Sequence, residues 1–347
     1  MSKAFDPGNF QVGIVGLGLM GSSIAACMLI AGHPVVGVEL LPEALQSGAE
    51  RVKNHLKLAA EKGLIKMEAK DYLKHFTTAG DLKSLKDCQL VIESVKEDKN
   101  LKAEVFRQLD GILDKEAFIT TNTSAIPISV LQQHVSNPGR FFGLHWMEPA
   151  YTTRFLELIC GEKSDLNKAR FLYDLGELWQ KETVLVKKDL PGFIANRLMY
   201  AMYREAMHLV DGEYASVEDV DKACRNVAGY FLPMMGVFRW MDFTGIGSYR
   251  EVMKDLFPTL NNDTSPGRVI NDIVDAGGRG IFNGHGFYEY SPEEREIWQE
   301  LYNEFSYEIR ELTLKYPADI IQQKLAAKRA ARSGDSLDAA QEGTNDQ

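Results

Sequence analysis

The chain has 347 residues, 45% of them hydrophobic, which is enough apolar material for two domains with packed cores. Its formal net charge of −10 argues against nucleic acid as a partner, because an acidic surface gains nothing from counterion release. No run approaches the ~20 apolar residues of a membrane span, so no membrane partner is expected.

The start, Met1-Ser2-Lys3-Ala4-Phe5-Asp6, has neither a secretory apolar core nor an Arg-rich bias, and a cytosolic protein is expected. The four cysteines, Cys27, Cys88, Cys160 and Cys224, lie far apart with no CxxC pair. They read as reduced thiols, and no metal site is expected.

In chain order, Val12-Gly13-Ile14-Val15 reads as a buried parallel strand. Ser22 to Ala31 is helical and nearly all apolar, and Gly32 stops it. Val35-Val36-Gly37-Val38-Glu39 is a second strand, completing a βαβ unit with a right-handed crossover. Residues 42–76 predict a helical hairpin inserted between sheet strands, interrupted at Gly63. It carries a basic patch of Arg51, Lys53, Lys57, Lys62 and Lys66.

Further βα units follow at Leu90–Glu93 with a helix near 99–113, and at Phe118–Thr121 with a helix near 126–134. Gly143–His145 and Thr183–Val186 read as the last strands. After Pro191-Gly192 only helical patterns remain, at roughly 192–211, 217–228, 266–276 and 292–315, with Pro317 breaking the last. The expected fold is α/β. A Rossmann-type doubly wound domain over 1–190 precedes an all-helical domain over 191–329 and a polar, disordered tail over 330–347.

Gly16-Leu17-Gly18-Leu19-Met20-Gly21 follows a strand and opens a helix, the context that makes GxGxxG a dinucleotide site. Gly16 permits the turn, Gly18 lets backbone approach a pyrophosphate, and Gly21 lets helix and strand pack. The loop, with Leu19 and Met20, then presents unpaired N–H groups to phosphate. Glu39 stands 18 residues after Gly21, where a carboxylate accepts from ribose hydroxyls and repels a 2′-phosphate. Leu40 and Leu41 offer no cation for such a phosphate, so NAD is expected rather than NADP.

His145 follows an apolar strand, where α/β enzymes place their active sites. Twelve residues on, Glu157 is a carboxylate inside the apolar run Phe155–Ile159 and needs a partner. That partner is His145 or Arg154. Asn122-Thr123-Ser124 ends the strand 118–121, facing the same crevice or capping the next helix. His145 itself is a base or a satisfied structural residue.

These motifs occur in order with Glu93, Glu97, Lys102 and the stretch Lys188-Asp189-Leu190-Pro191-Gly192-Phe193-Ile194-Ala195-Asn196-Arg197. Together with Gly284-His285-Gly286-Phe287-Tyr288-Glu289-Tyr290, the set resembles the L-3-hydroxyacyl-CoA dehydrogenase family, notably 3-hydroxybutyryl-CoA dehydrogenases, over about residues 11–291. The resemblance implies NAD-dependent, reversible oxidation of a short-chain 3-hydroxyacyl-CoA, with a place in fatty-acid metabolism. It implies His145 as general base, Glu157 as its orienting partner, and Ser124 and Asn196 on the substrate oxygens. It also implies Glu97, Lys102 and Asn122 at the cofactor, and a homodimer through the helical domain.

Several residues depart from the family pattern. Glu148 stands where the family usually has Asn, Arg239 where it has an acidic or apolar residue, and Thr152, Thr153 and Arg154 where it is more apolar. Pro233-Met234-Met235-Gly236-Val237 also differs. These segments suggest a polar pocket. Three readings follow. In the first, an acyl-CoA is the substrate, with Lys53 and Lys57 of the basic patch on the CoA phosphates. In the second, the substrate is a free, small, polar 3-hydroxy acid of the sugar-acid or carnitine type, gripped by Arg154 or Arg239. In the third, the protein is an inactive NAD-binding sensor or scaffold. Solvated helix charge and surface ion pairs remain alternatives for these cations.

Overall fold

The computed structural model describes residues 5–330. They form two compact units that part between Ala206 and Met207.

The first unit is built on one sheet of eight strands: β1 (Val12–Val15), β2 (Val35–Val38), β3 (Phe76–Ala79), β4 (Leu90–Glu93), β5 (Phe118–Thr121), β6 (Phe141–Trp146), β7 (Phe155–Cys160) and β8 (Glu182–Val186). Their order is β3-β2-β1-β4-β5-β6-β7-β8. The first six follow the doubly wound 3-2-1-4-5-6 arrangement, whose crevice lies at the carboxyl ends of the strands. All pairings are parallel except β6 with β7, which is antiparallel. The central strands β1, β2, β4 and β5 are buried at every position, as sheet covered on both faces requires.

Helix α1 (Leu19–Ile30) is buried from Gly21 through Leu29, which explains its nearly continuous apolar sequence. Helix α2 (Pro42–Glu61) buries only the stripe Gly48, Val52, Leu56 and Ala59, at helical spacing. It ends at Gly63, whose φ of +72° closes the turn. Helix α3 (Ala69–Leu73) is five residues long. The expected hairpin through 76 is thus shorter, and Phe76–Ala79 leaves it to pair with β2 as an edge strand. That strand, Phe-Thr-Thr-Ala, is half-exposed and carries little apolar signal.

Helices α4 (Lys99–Ile112), α5 (Ile128–Leu131) and α6 (Leu166–Leu178) complete the layers. Asp98 and Asp165 cap α4 and α6 through their carboxylates. Strand β7 and helix α6 go beyond the sequence expectation. The apolar run around Glu157 is itself a strand, held between β6 and β8.

Helix α7 (Ala195–Asp211) runs from the first unit into the second. The second unit continues with α8 (Val217–Ala223), a π-helical turn at Cys224–Ala228, α9 (Gly229–Thr244), α10 (Ile246–Leu256), α11 (Arg268–Asp275) and α12 (Pro292–Lys315). The sequence expectation contained neither α9 nor α10. Pro233 and a non-helical Gly236 (φ 66°) break the pattern inside α9, so it reads poorly as one helix. Residues 320–330 are helical as well, and the polar tail beyond lies outside the described residues. Within this unit Asp211 caps α11 through the amides of Arg268 and Val269, at 2.6 and 2.9 Å. Tyr288 of the Gly284–Tyr290 motif donates to Asp221 on α8 at 2.8 Å. No helix among the described residues is long and apolar enough to cross a membrane.

Gly21 is the tightest test of the βα junction. A Cβ there would stand 1.8 Å from the Gly16 carbonyl oxygen, a backbone atom with nowhere to go. Gly21→Ala is expected to lower stability by ~1–3 kcal/mol, the range for forced overpacking. A urea midpoint indistinguishable from that of the parent protein would contradict this packing.

Candidate active site

The glycine loop fits a dinucleotide on structural grounds. Gly16 has a φ of 89°, and a Cβ there would press to 2.7 Å from the Ser94 carbonyl. At Gly18 a Cβ would meet nothing within 4 Å, so the backbone lies open to a ligand. No side chain caps α1 at Gly18, which leaves its first amides for an anion. Leu19 is exposed and Met20 half-buried beside them. Glu39 directly follows β2 and accepts from the amides of Leu17 (3.3 Å) and Leu40 (3.0 Å), so its carboxylate is fixed at the rim of the loop. These residues are fitted to hold NAD.

Arg51 has a role the sequence expectation did not give it. It stands in the basic patch, yet its guanidinium reaches out of α2 to the Leu17 carbonyl at 2.6 Å and braces the glycine loop. Lys53 pairs with Glu50 on the same helix at 3.0 Å, and Lys57 is exposed.

A second group of residues surrounds the end of β5. Glu97 accepts from the Thr123 hydroxyl and from the amides of Ser124 (3.1 Å) and Ala125 (3.3 Å). Burial raises its pKa, but the Thr123 hydrogen bond and the Lys102 charge outweigh it and hold the carboxyl below its ordinary value. Lys102 is 1% exposed. Its ammonium contacts Glu93 at 2.7 Å and Glu97 at 3.3 Å. Lys102 thus anchors the carboxylates that shape the turn. Asn122 accepts from the Trp146 amide at 2.9 Å, tying the end of β5 to the end of β6. Ser124 is exposed at the tip, and its carbonyl accepts from Asn196 Nδ2 at 2.9 Å.

The register of β6 and β7 sets His145 directly opposite Glu157. Paired residues on antiparallel strands share a face, so these two side chains meet. His145 Nδ1 lies 2.7 Å from Glu157 Oε2. The other oxygen, Oε1, accepts from the amides of Ile194 (2.9 Å) and Ala195 (3.0 Å) at the start of α7. Those amides are presented by the turn Pro191-Gly192-Phe193, in which Phe193 takes a φ of 49°. A left-handed phenylalanine is strained by roughly 1–3 kcal/mol, and its fully buried ring lies against the His145 imidazole, centroids 5.8 Å apart. Burial raises the Glu157 pKa, but the hydrogen bonds from His145, Ala195 and Ile194 prevail and hold it below the ordinary carboxylate range.

The candidate substrate cations are placed differently. Arg154 pairs with Glu182 at 3.0 Å, joining the ends of β7 and β8, rather than with Glu157. Arg239 is exposed on α9 in the second unit, just after the Gly236 break. Among the described residues no cluster of His, Cys, Asp or Glu is arranged to hold a metal ion.

Because the folded pKa of Glu157 is depressed, its stabilising contribution is complete above the ordinary 4.5 and fades as pH falls through the lower folded value. Glu157→Gln should therefore be less stable than the parent at neutral pH, with the gap narrowing in acid. Urea titrations at several pH values check this, and a gap that widens in acid would contradict the assignment.

Comparison with known proteins agrees with this geometry. Residues 11–190 match the NAD binding domain of 3-hydroxyacyl-CoA dehydrogenase, and residues 192–290 match its C-terminal domain. The chain is 33% identical over 295 residues to 5-formyl-3-hydroxy-2-methylpyridine 4-carboxylate 5-dehydrogenase of Mesorhizobium japonicum, covering 83% of this chain and 93% of that one. It is also 33% identical over 285 residues to 3-hydroxybutyryl-CoA dehydrogenase of Mycobacterium tuberculosis, covering 81% and 98%. The solved structure of a 5-formyl-3-hydroxy-2-methylpyridine 4-carboxylic acid 5-dehydrogenase, an NAD+-dependent dismutase, superposes with a TM-score of 0.83 at 29% identity, covering 88% and 99%. The (S)-3-hydroxybutyryl-CoA dehydrogenase of Ralstonia eutropha gives 0.67 at 29% identity, covering 81% and 99%. A doubly wound sheet with an NAD-fitted glycine loop, joined to a helical domain and matched by both family domains in order, places this chain in the 3-hydroxyacyl-CoA dehydrogenase family, as an NAD-dependent oxidoreductase.

Proposed function

We propose that this protein interconverts a secondary alcohol and a carbonyl, with His145 and Glu157 as its proton-transfer dyad. The observation that carries this reading is the arrangement of Glu157. One oxygen lies on His145 Nδ1, and the other is fixed by two backbone amides. Glu157 so held accepts a hydrogen bond from Nδ1–H, which keeps that proton on the ring and leaves Nε2 with the lone pair that takes the substrate hydroxyl proton. It then stabilises the imidazolium that results. The Ser124 hydroxyl and Asn196 hold the substrate oxygen. Glu97 fixes the Ser124 turn, and Asn196 is tied to it through the Ser124 carbonyl. When bound, NAD supplies the hydride acceptor.

For the substrate we favour a small, free, polar acid over an acyl-CoA. The higher TM-score and wider coverage belong to the enzyme that acts on a pyridine carboxylic acid. Arg154, one of the two cations considered for the carboxylate, has its charge met by Glu182. The acyl-CoA reading keeps one specific support, the exposed Lys57 beside Lys53 on α2, which suits CoA phosphates.

We also propose a homodimer through the helical unit. Among the described residues, no apolar side chain after Phe193 is buried, while Tyr230, Phe238, Phe243, Phe257 and Phe282 are all exposed. A helical unit without a buried apolar core needs a further surface to cover it.

His145→Ala should lower turnover by ~10²–10⁴-fold, the usual worth of a positioned base, while NAD binding persists. Cofactor reduction followed by absorbance, with (S)-3-hydroxybutyryl-CoA, free 3-hydroxybutyrate and polar aromatic or sugar-derived hydroxy acids, separates the substrate readings. Turnover confined to the thioester would overturn the free-acid reading. In light scattering the protein should have twice its chain mass, with a melting temperature that rises with concentration. A monomer stable on dilution would refute the dimer.

A further inference from the structure

The segment between β6 and β7 holds a carboxyl group that the proposed proton transfer does not use. Glu148 follows His145 by three residues, and the Ser23 hydroxyl hydrogen-bonds its carboxyl. Ser23 is fully buried in α1, one turn beyond the glycine loop, and its oxygen also accepts from the Ala150 amide at 2.7 Å. Glu148 therefore bridges the helix that receives the pyrophosphate and the strand that carries the base. A dinucleotide with its pyrophosphate at the amino end of α1 and its nicotinamide at His145 would span the two elements that Glu148 joins.

We propose that Glu148 is the residue by which this protein distinguishes oxidised from reduced cofactor, its carboxylate favouring the cationic nicotinamide ring of NAD+ over the neutral ring of NADH. A half-buried carboxylate near a ring cation gains Coulomb energy that water screens only in part. The same carboxylate gains nothing from a neutral dihydronicotinamide. Burial has already pushed the Glu148 carboxyl up to about 7, with the Ser23 hydrogen bond opposing, so its charge changes around neutral pH.

The other ionisable groups around this segment have identifiable states or partners. His55 on α2 contacts Ser22 and the Tyr151 hydroxyl, and burial and Arg51 depress its pKa to about 4, which keeps it neutral. Arg51 is bonded to the Leu17 carbonyl. The Lys181 ammonium is bonded to the carbonyls of Ala150 and Thr153, and it lies over the Trp146 ring. Cys27 is the only ionisable side chain of α1, and it is a buried thiol. His145 and Glu157 face each other on β6 and β7.

The sign follows from linkage. NAD+ prefers ionised Glu148, so its affinity rises as pH rises through the carboxyl pKa, while NADH affinity does not follow. The inference rests on His145 and the glycine loop marking the two ends of the cofactor. Retained turnover in His145→Ala would fail that reading separately.

The test is a titration of NAD+ and of NADH against the full-length protein, by calorimetry or intrinsic fluorescence, from about pH 6 to about pH 8. The Kd for NAD+ should fall roughly fivefold over this range, as a displacement of about one unit from a pKa of about 7 gives, with a flat Kd for NADH. Glu148→Gln should flatten the NAD+ curve, Glu148→Asp should restore part of the slope, and His145→Asn should leave it standing. Equal slopes for the two cofactors, or an NAD+ slope that survives in Glu148→Gln or disappears in His145→Asn, would overturn the proposal.

Discussion

The site depends on one carboxylate with two obligations. Glu157 sits in the middle of a buried strand, where an isolated charge would be costly. It is made tolerable by an imidazole on one oxygen and two amides on the other. This arrangement aligns three elements at once: β6 through His145, β7 through Glu157 itself, and the start of α7 through Ile194 and Ala195. Asn196, the next residue, is thereby delivered to the Ser124 turn. The strain at Phe193 belongs to the same construction, since the tight turn is what points both amides inward.

A second buried ionic group does comparable work on the neighbouring strands. Glu93, Lys102, Thr121, Thr123 and Glu97 form a chain of charge-assisted hydrogen bonds from the end of β4 to the turn after β5. The exposed Ser124 thus rests, through the partly exposed Glu97, on the buried Glu93–Lys102 pair. The two systems hold the polar groups of the site without relying on loop rigidity alone, and positioning of this kind is the larger part of what a base needs to be effective.

The departures from the family pattern acquire different meanings once placed. Arg154 is absorbed into a strand-end ion pair with Glu182. Thr152 and Thr153 bond to backbone carbonyls of their own loop, so they shape the β6–β7 connection. Glu148 combines partial burial, an ionisable group and contact with Ser23 of the cofactor helix.

The sequence by itself determined the βαβ start and the glycine loop and singled out Glu39, His145 and Glu157, because each rests on local chemistry: a turn that needs glycine, a carboxylate just after a strand, a histidine at a strand end, an acid stranded in an apolar run. It left open whether Glu157 paired with His145 or Arg154, since twelve residues of separation do not fix a register. The antiparallel pairing of β6 with β7 decided that. It also left the partners of Arg51 and Lys102 unread, because a cation's partner is chosen by the fold and not by its neighbours in sequence. The edge strand β3 and the broken helix α9 were illegible for the opposite reason: weak local patterns, one half-exposed and one interrupted by Pro233 and Gly236, become definite only when neighbouring elements supply the hydrogen bonds and the turns.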